Sequence, residues 1–497
     1  MKNNKFSKIG EKKQSVVSSI LWLAIAEIFF NFSGYIIHAF LGRMLGPADY
    51  GRYGLVVTLT TMIIMLIGNG IPTAMSKYIS GFFESQPGLV LNVKKRAAFL
   101  QFILIGSVTI IFFLLAPVLS FILRDPTLTP LFRISSLIIP TFAAASFYLY
   151  YYIGIHRFSL QSTLKIVRSF ARIIFVVGLA YFFGLKGSIS GYFLAPATVF
   201  ITAYLIDKFF INRHFPKNNA DFFDWKKLVN YAWPVTLFMI FYELLISLDL
   251  YLVKGILTND HLTGIYNASL TVGRIPYYLF YALTLVMLPS ISRTTSQNKH
   301  EETKKIMTET FRLMFMILVP IIILMVVYAV PLVQLFFGSR YVDSALPMQV
   351  LAPGVGFLTI FYILSFALNG AGKVKIPMYI AFFGMILNAG LNYVMILKLG
   401  ILGSAIATSI VSIIITTIML FYALKYFGKF IEIKRIAKIL LAGIVMFFVS
   451  YFFPPQKWIF ILYGAILSIF YLLALIVLKE FTMNDFNFFR KILFKKK

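Results

Sequence analysis

The residues of this chain that could do chemistry are ionisable groups inside long apolar runs. Glu27 lies in the middle of the first run, Glu243 and Asp249 lie in the seventh, and Arg274 lies in the eighth. A charged side chain at the centre of a membrane helix costs about 2.5–3.5 kcal/mol on insertion scales, so each is a functional candidate. We predict that at least one of Glu27, Glu243 and Asp249 binds a coupling ion, H+ or Na+. The alternative is that Arg274 only neutralises Glu243 or Asp249 in a structural pair.

Four basic residues are candidates for binding a substrate. Arg43 and Arg52 lie at the outer end of the first helical hairpin, Lys77 lies at its inner end, and Arg274 lies inside a span. The long side chains of Arg43 and Lys77 could also reach the membrane interface with no further role. Arg52 is better placed, because it stands between Gly51 and a tyrosine in a motif that the chain repeats.

A third group of cations has helical spacing. Lys165, Arg168 and Arg172 follow an i, i+3, i+7 pattern, which places them on one face of a helix that enters the membrane. Such a stripe can bind the headgroups of anionic membrane lipids or line the entrance to a cavity. It can also serve only to fix the topology of the chain.

The sequence predicts no enzyme. The five histidines are scattered without an HExxH pattern, cysteine is absent, and no metal site is expected. The segment GAGKVK at 370–375 lacks the first glycine of a P-loop and carries valine where serine or threonine should hold magnesium. Apart from the coupling ion no cofactor is expected, and energy must come from an ion gradient, a substrate gradient or a partner.

The composition is that of a polytopic membrane protein. The 497 residues are 60% hydrophobic and 13% charged, with a mean hydropathy of +0.85. The net charge of +28 is spread over short loops, which argues against a nucleic-acid partner. About 20 apolar residues are needed for one span. Runs of this kind predict an all-α protein with fourteen transmembrane helices, at about 16–41, 53–80, 97–122, 129–153, 159–183, 187–210, 228–253, 264–290, 310–336, 345–368, 374–397, 401–424, 436–453 and 457–478.

The basic residues of the connections predict the orientation. With the N-terminus inside, the inner segments contain 36 of the 46 Lys and Arg residues, the outer segments contain 9, and Arg274 falls within a span. Positive residues accumulate on the cytoplasmic side of a membrane. We therefore predict a multi-pass protein of the cytoplasmic cell membrane whose N- and C-termini are both cytoplasmic.

The chain also repeats itself. Gly42, Gly51 and Tyr53 recur 213 residues later as Gly255, Gly264 and Tyr266. A second set recurs at an offset of 216, which pairs Gly154, Arg157, Gly184 and Gly187 with Gly370, Lys373, Gly400 and Gly403. Duplicated halves are typical of transporters.

The repeat and the loops together predict the domain boundaries. Both halves begin on the inside, so the predicted lobes are parallel six-helix repeats. The N-terminal lobe covers 1–210, a cytoplasmic linker covers 211–227, and the C-terminal lobe covers 228–430. Residues 431–497 hold two extra helices and a basic cytoplasmic tail.

These features resemble the polysaccharide-transporter branch of the multidrug/oligosaccharidyl-lipid/polysaccharide (MOP) superfamily. The resemblance rests on LGPADYGRYG and GNGIPTAMSKYIS around the first hairpin, the segments GIHR and GAGK, and GILGSAIATS near the twelfth span. That branch includes the Wzx-type O-antigen flippases, the stage V sporulation protein B family and the lipid II flippases. The resemblance implies two lobes that rock around a central cavity and pass a polyprenyl-diphosphate-linked oligosaccharide across the membrane for polysaccharide or cell-envelope glycan biosynthesis.

The resemblance also bears on the cations. In lipid II flippases, arginines on spans 1, 2 and 8 meet the diphosphate, and here Arg52 and Arg274 fit that pattern while span 1 carries Glu27 instead. The departure favours a lipid-linked glycan other than lipid II.

The alternative function is a cation-coupled multidrug exporter of the same superfamily. A monomer is expected, and association with a glycan polymerase or glycosyltransferases stays open.

Overall fold

The computed structural model describes residues 16–68, 70–83, 86–215, 224–454 and 458–481. Within these ranges the chain is helical and contains no strand, which confirms the all-α prediction. The α-helices are α1 Val16–Gly68, α2 Gly70–Phe82, α3 Pro87–Ile122, α4 Leu128–Ser136, α5 Ile138–Gly154, α6 Phe158–Ile206, α7 Lys226–Leu257, α8 Asp260–Gly273, α9 Ile275–Ser296, α10 His300–Val327, α11 Ala329–Phe337, α12 Ala345–Gly370, α13 Lys375–Phe427, α14 Ile433–Val449 and α15 Ile459–Val477.

Ten helical stretches in the described part of the chain are long and apolar enough to cross a membrane. Three of them, Ile25–Phe82, Phe158–Ile211 and Lys375–Phe427, contain 58, 54 and 53 residues. A single span needs only about 20 residues. Each of these three stretches is therefore long enough to hold two spans, and the count of fourteen stays a prediction.

The long helices fold back on themselves at single glycines. Gly46, Gly184 and Gly400 all have positive φ, which glycine adopts without steric cost. In α6, a Cβ on Gly191 would lie 2.5 Å from the Cα of Val176, although 15 residues of straight helix would separate the two positions by about 22 Å. Each kink thus joins two packed helices without a loop.

The kinks in α6 and α13 have the same geometry. Gly184 has φ 56° and ψ −137°, and Gly400, its partner in the repeat, has φ 59° and ψ −137°. Three residues after each kink, Gly187 and Gly403 are pressed against the backbone carbonyl of the residue eight positions earlier in the same long helix. A duplicated hairpin is expected to show this agreement.

The helices form two compact units, which are described separately. The first comprises the chain up to Asn267 together with Pro377–Ala407. Its core packs α2, α3, α5 and α6 around an aromatic group that includes Tyr148, Tyr151 and Tyr152. These units group the residues by packing, and the lobe boundaries stay a prediction.

The second unit comprises Ala268–Ile376 and the chain from Thr408 onward. In it, the extra helices α14 and α15 pack against α10 through a hydrophobic cluster that includes Tyr328 and Tyr471. The Arg312 guanidinium donates from Nε to Glu480 Oε1 at 2.9 Å and from Nη2 to the Glu480 carbonyl at 2.7 Å. These bonds fix the end of the described chain to α10.

Replacing Gly187 by alanine should destabilise the hairpin in α6. The added Cβ would clash with the Leu179 carbonyl, so the two helices must move apart. Overpacking of this kind costs about 1–3 kcal/mol. Gly178→Ala in the same helix is the control, because nothing lies within 4 Å of its Cβ position. Thermal unfolding of purified protein in detergent compares the two variants, and a Gly187→Ala protein as stable as its control would contradict the packing.

Candidate functional site

The predicted basic stripe of α6 lies against the first half of α1. The ammonium of Lys165 donates a hydrogen bond to Glu27 Oε1 in an ion pair. One turn further, Arg168 lies with its Cζ 3.9 Å from the centre of the Phe142 ring. Arg172 continues the stripe along the same face, as the i, i+3, i+7 spacing requires.

Phe30 of α1 holds the three cations together. The Lys165 Nζ lies 5.4 Å from the centre of the Phe30 ring, and the Cζ atoms of Arg168 and Arg172 lie 4.9 and 4.1 Å from it. Arg172 Nη2 also donates to the Phe30 carbonyl and to Ser33 Oγ, each at 2.6 Å. We call Glu27, Phe30, Lys165, Arg168 and Arg172 the cationic cluster.

The cationic cluster contains more positive than negative charge. The Glu27 carboxylate pairs with Lys165, and Arg168 adds a further positive charge beside this pair. Arg168 is only 5% exposed. None of the salt bridges within the described residues involves Arg168, so its charge is met by aromatic rings. A buried guanidinium can bind phosphate through paired charge-assisted hydrogen bonds, and the cluster is therefore a candidate anion site.

A second network joins the ends of the repeated motifs. Arg52 donates from Nη2 to Asp260 Oδ2 at 2.7 Å and from Nη1 to Asp49 Oδ1 at 3.2 Å, and its Nε lies 3.5 Å from Asp125 Oδ2. Lys254 donates to Asp125 at 2.9 Å and also to Asp260. We call these five residues the motif-end network.

The backbones of the two motifs touch at the repeated glycines. A Cβ on Gly51 would lie 2.7 Å from the Asp260 carbonyl and 2.7 Å from the amide nitrogen of Gly264. A Cβ on Gly264 would clash with the carbonyl of Pro47. The glycines that mark the repeat in the sequence are therefore the positions where one copy of the motif packs on the other.

Asp125 contacts both cations of the motif-end network. Burial alone would raise the pKa of its carboxyl, but hydrogen bonds from Thr127 and Lys254 outweigh burial and hold that pKa below its usual value. The Thr127 hydroxyl donates to Asp125 Oδ1 at 2.6 Å, and the Thr127 amide donates to the same oxygen at 3.1 Å. The network therefore depends on an ionised Asp125.

The two predicted carboxylates of α7 have different surroundings. Asp249 is fully buried and accepts hydrogen bonds from the Tyr266 hydroxyl at 2.9 Å and from the Leu250 amide at 2.8 Å. Glu243 is half-buried and accepts from Ser247 Oγ at 3.4 Å. Asp249 is thus the more deeply buried of the two carboxylates.

Arg43, Lys77 and Arg274, the remaining predicted cations, are not members of the cationic cluster. Arg43 and Lys77 are exposed, and the Lys77 Nζ lies 5.8 Å from the centre of the Tyr78 ring. Arg274 is half-buried at the break between α8 and α9, where its backbone leaves the helical region.

Sequence reasoning missed four members of the motif-end network and the partner of Lys165. Asp49 and Asp260 stand inside the repeated motifs, so their positions carried a usable signal. Asp125 and Lys254 lie in or beside short connections, where a charged residue is expected for topology alone. No local pattern indicates that Glu27 meets Lys165, 138 residues later.

Long apolar helices that fold back in pairs and enclose buried ionisable groups define an all-α membrane transport protein. The structure resembles that of the lipid II flippase MurJ in an inward closed conformation, with a TM-score of 0.70 at 17% identity, over 91% of this chain and 98% of that chain.

The family follows from the sequence comparison. The model of the polysaccharide biosynthesis protein family matches residues 16–295, more than half of the chain, and the chain belongs to this family of the MOP superfamily. The MatE model also matches residues 229–394. The family and its structural neighbours are transporters and flippases, not enzymes.

Two relatives are similar in sequence. Stage V sporulation protein B of Bacillus subtilis is 21% identical over 88% of this chain and 89% of its own length. The probable low-salt glycan biosynthesis flippase of Haloferax volcanii is 22% identical over 40% of this chain and 43% of its own length.

Replacing Asp125 by asparagine should remove a pH-dependent part of the stability. Because the pKa of Asp125 is lowered by folding, its ionised form stabilises the protein above its unfolded pKa of about 3.9. This stabilisation is lost as the pH falls through the lower pKa of the folded protein. The difference in melting temperature between wild type and Asp125→Asn should therefore be constant near neutral pH and shrink below about pH 4.

The exposed Asp343 provides the control for this experiment. Asp343→Asn should match wild type at every pH. A difference between wild type and Asp125→Asn that stays constant down to pH 3 would contradict the role of the ionised carboxylate.

Proposed function

We propose that the protein is a flippase that moves a polyprenyl-diphosphate-linked oligosaccharide across the cytoplasmic membrane by alternating access. The observation that supports this most is the cationic cluster, where the buried Arg168 lies between membrane helices without a salt bridge in the described part of the chain. The names of the relatives support it as well, since they include a glycan biosynthesis flippase and a lipid II flippase.

The dimensions of the cationic cluster suit a diphosphate. The charged ends of Lys165, Arg168 and Arg172 all lie within 5.4 Å of the centre of the Phe30 ring. Two linked phosphates carry two charges and can bind Lys165 and Arg168 together, whereas a single phosphate carries less charge to bind them. Because Arg168 has no acid partner in the described part of the chain, its guanidinium is available to a phosphate.

The motif-end network suggests a second part of the mechanism. If the termini are cytoplasmic, the cationic cluster lies toward the inside, and Arg52 lies at the outer ends of its helices. We propose that the contacts of Arg52 with Asp125 and Asp260 hold these outer ends closed while substrate enters from inside. Arg52 would bind a phosphate only after it leaves these acids, and Arg274 is a further proposed contact for the diphosphate.

The exposed cations have a simpler proposed role. Arg43 and Lys77 can attract the anionic headgroup of the substrate or of membrane lipids at the two ends of the first hairpin.

A multidrug exporter is the second candidate. The MatE match over residues 229–394 favours it, and Glu243 and Asp249 lie in that segment. The excess of positive charge at the cationic cluster opposes it, because a cationic drug would be repelled there. Export of a cationic dye from vesicles separates the two functions.

Replacing Arg168 by glutamine should abolish most binding of a diphosphate lipid. A charge-assisted hydrogen bond contributes roughly 1.5–3 kcal/mol, so the affinity for the diphosphate lipid should fall about ten- to a hundredfold. The affinity of Arg168→Lys should lie between those of wild type and Arg168→Gln. Binding and flipping of diphosphate- and monophosphate-linked glycolipids are measured in proteoliposomes. Lys186→Gln, at an exposed position of the same helix, is the control. Wild-type binding and flipping by Arg168→Gln would overturn the proposed site.

The same vesicles test the coupling ion. We propose that Glu243 or Asp249 binds H+ or Na+, so Glu243→Gln or Asp249→Asn should remove the dependence of flipping on the pH or sodium gradient. Tyr266→Phe removes one hydrogen bond to Asp249 and leaves the charge of Asp249 in place. Flipping by this variant should therefore still depend on the gradient. Unchanged dependence in both carboxylate variants would rule out these two sites.

A further inference from the structure

The ion pair between Glu27 and Lys165 is more exposed than three other buried pairs of the described residues. The acid side chains of Asp207, Asp125 and Glu480 are 4%, 7% and 3% exposed in their pairs with a basic residue. The Glu27 side chain is 17% exposed, and that of Lys165 is 15% exposed. This pair is therefore more open to another molecule than the other three.

The surroundings of Glu27 also differ from those of a structural acid. Lys94 and Asp207 balance each other within an aromatic shell in which the Lys94 Nζ lies 4.1 Å from the centre of the Tyr151 ring. Glu27, in contrast, pairs with Lys165 beside Arg168, which forms no salt bridge in the described part of the chain, so the charge of Glu27 neutralises only part of the cluster. The Glu27 carboxylate therefore occupies a position beside Lys165 that a phosphate oxygen could occupy instead.

We infer that the Glu27 carboxylate competes with the substrate diphosphate for Lys165. This competition sets both the affinity of the protein for the diphosphate and the rate of diphosphate release. This inference rests on the proposed function. In the empty site Glu27 binds Lys165, and Arg168 stacks on Phe30. When the diphosphate arrives, its oxygens bind Lys165 and Arg168, and Glu27 gives up Lys165.

The charges show why such a competitor is useful. Without the charge of Glu27, the charges of Lys165 and Arg168 would match the two charges of the diphosphate, which favours a long-lived complex. With Glu27 present, the carboxylate and the two phosphate charges together exceed the charges of these two cations. Repulsion between the carboxylate and the phosphates weakens the bound state, and Glu27 can return to Lys165 as the substrate leaves.

Glu27→Gln keeps the shape of the side chain and removes its charge. Binding of geranylgeranyl diphosphate to the purified full-length protein should become about tenfold tighter, since a like charge within several ångströms is removed. Flipping of the diphosphate-linked glycolipid at saturating concentration should become slower than in wild type, because release is delayed. Geranylgeranyl monophosphate should gain less affinity, because it carries less charge.

Two further variants complete the test. Glu27→Asp keeps the negative charge but moves it away from Lys165, so its affinity for geranylgeranyl diphosphate should lie between those of wild type and Glu27→Gln. This variant replaces Glu27→Gln in the test if the glutamine variant does not fold. Glu309→Gln removes an acid that pairs with Arg312 elsewhere in the chain, and it should leave both measurements unchanged.

The outcomes separate the two proposals. If wild type neither binds geranylgeranyl diphosphate nor flips the glycolipid, the proposed function fails. If wild type binds it and Glu27→Gln and Glu27→Asp bind it equally or more weakly, the competition by Glu27 is overturned. A purely structural Glu27 predicts lower stability of Glu27→Gln with no gain in affinity, which the melting temperature and the binding curve measure together.

Discussion

An excess of buried positive charge against the first helix is the constraint on which this account depends. Lys165, Arg168 and Arg172 surround the Phe30 ring, and solvent barely reaches Arg168. Cations between membrane helices are costly unless they are paired. Aromatic rings offset part of that cost, and an anionic ligand can offset more. This requirement favours an anionic substrate over a neutral or cationic one.

The repeated glycines position the helices that carry these charges. Gly184 turns α6 back on itself, so that the stripe of cations lies in a tightly packed hairpin. Gly51 and Gly264 bring the two copies of the outer motif into backbone contact, and this contact places Arg52 beside Asp260. A side chain at either position would separate the motifs and the charged groups beside them. The duplication thus serves both the packing and the electrostatics.

Local patterns in the sequence predicted a large part of this arrangement. Apolar runs indicated an all-α membrane protein, and the offset of 216 paired the glycines that have matching kinks. The spacing of Lys165, Arg168 and Arg172 placed them on one face because helical periodicity is a local property.

The partners of these cations could not be predicted in the same way. Glu27 meets Lys165 across 138 residues, and Arg52 meets Asp260 across 208. Such contacts depend on how separate helices pack, which no single window of the sequence contains. The sequence therefore identified Arg52 as a cation of interest but not the three acids that surround it.

A structure of the protein with a bound polyprenyl diphosphate lipid would show whether the cationic cluster is the diphosphate site. We expect phosphate oxygens within hydrogen-bonding distance of the Arg168 and Lys165 side chains, with the Glu27 carboxylate moved away from Lys165. A diphosphate bound elsewhere, with the pair between Glu27 and Lys165 intact, would contradict it.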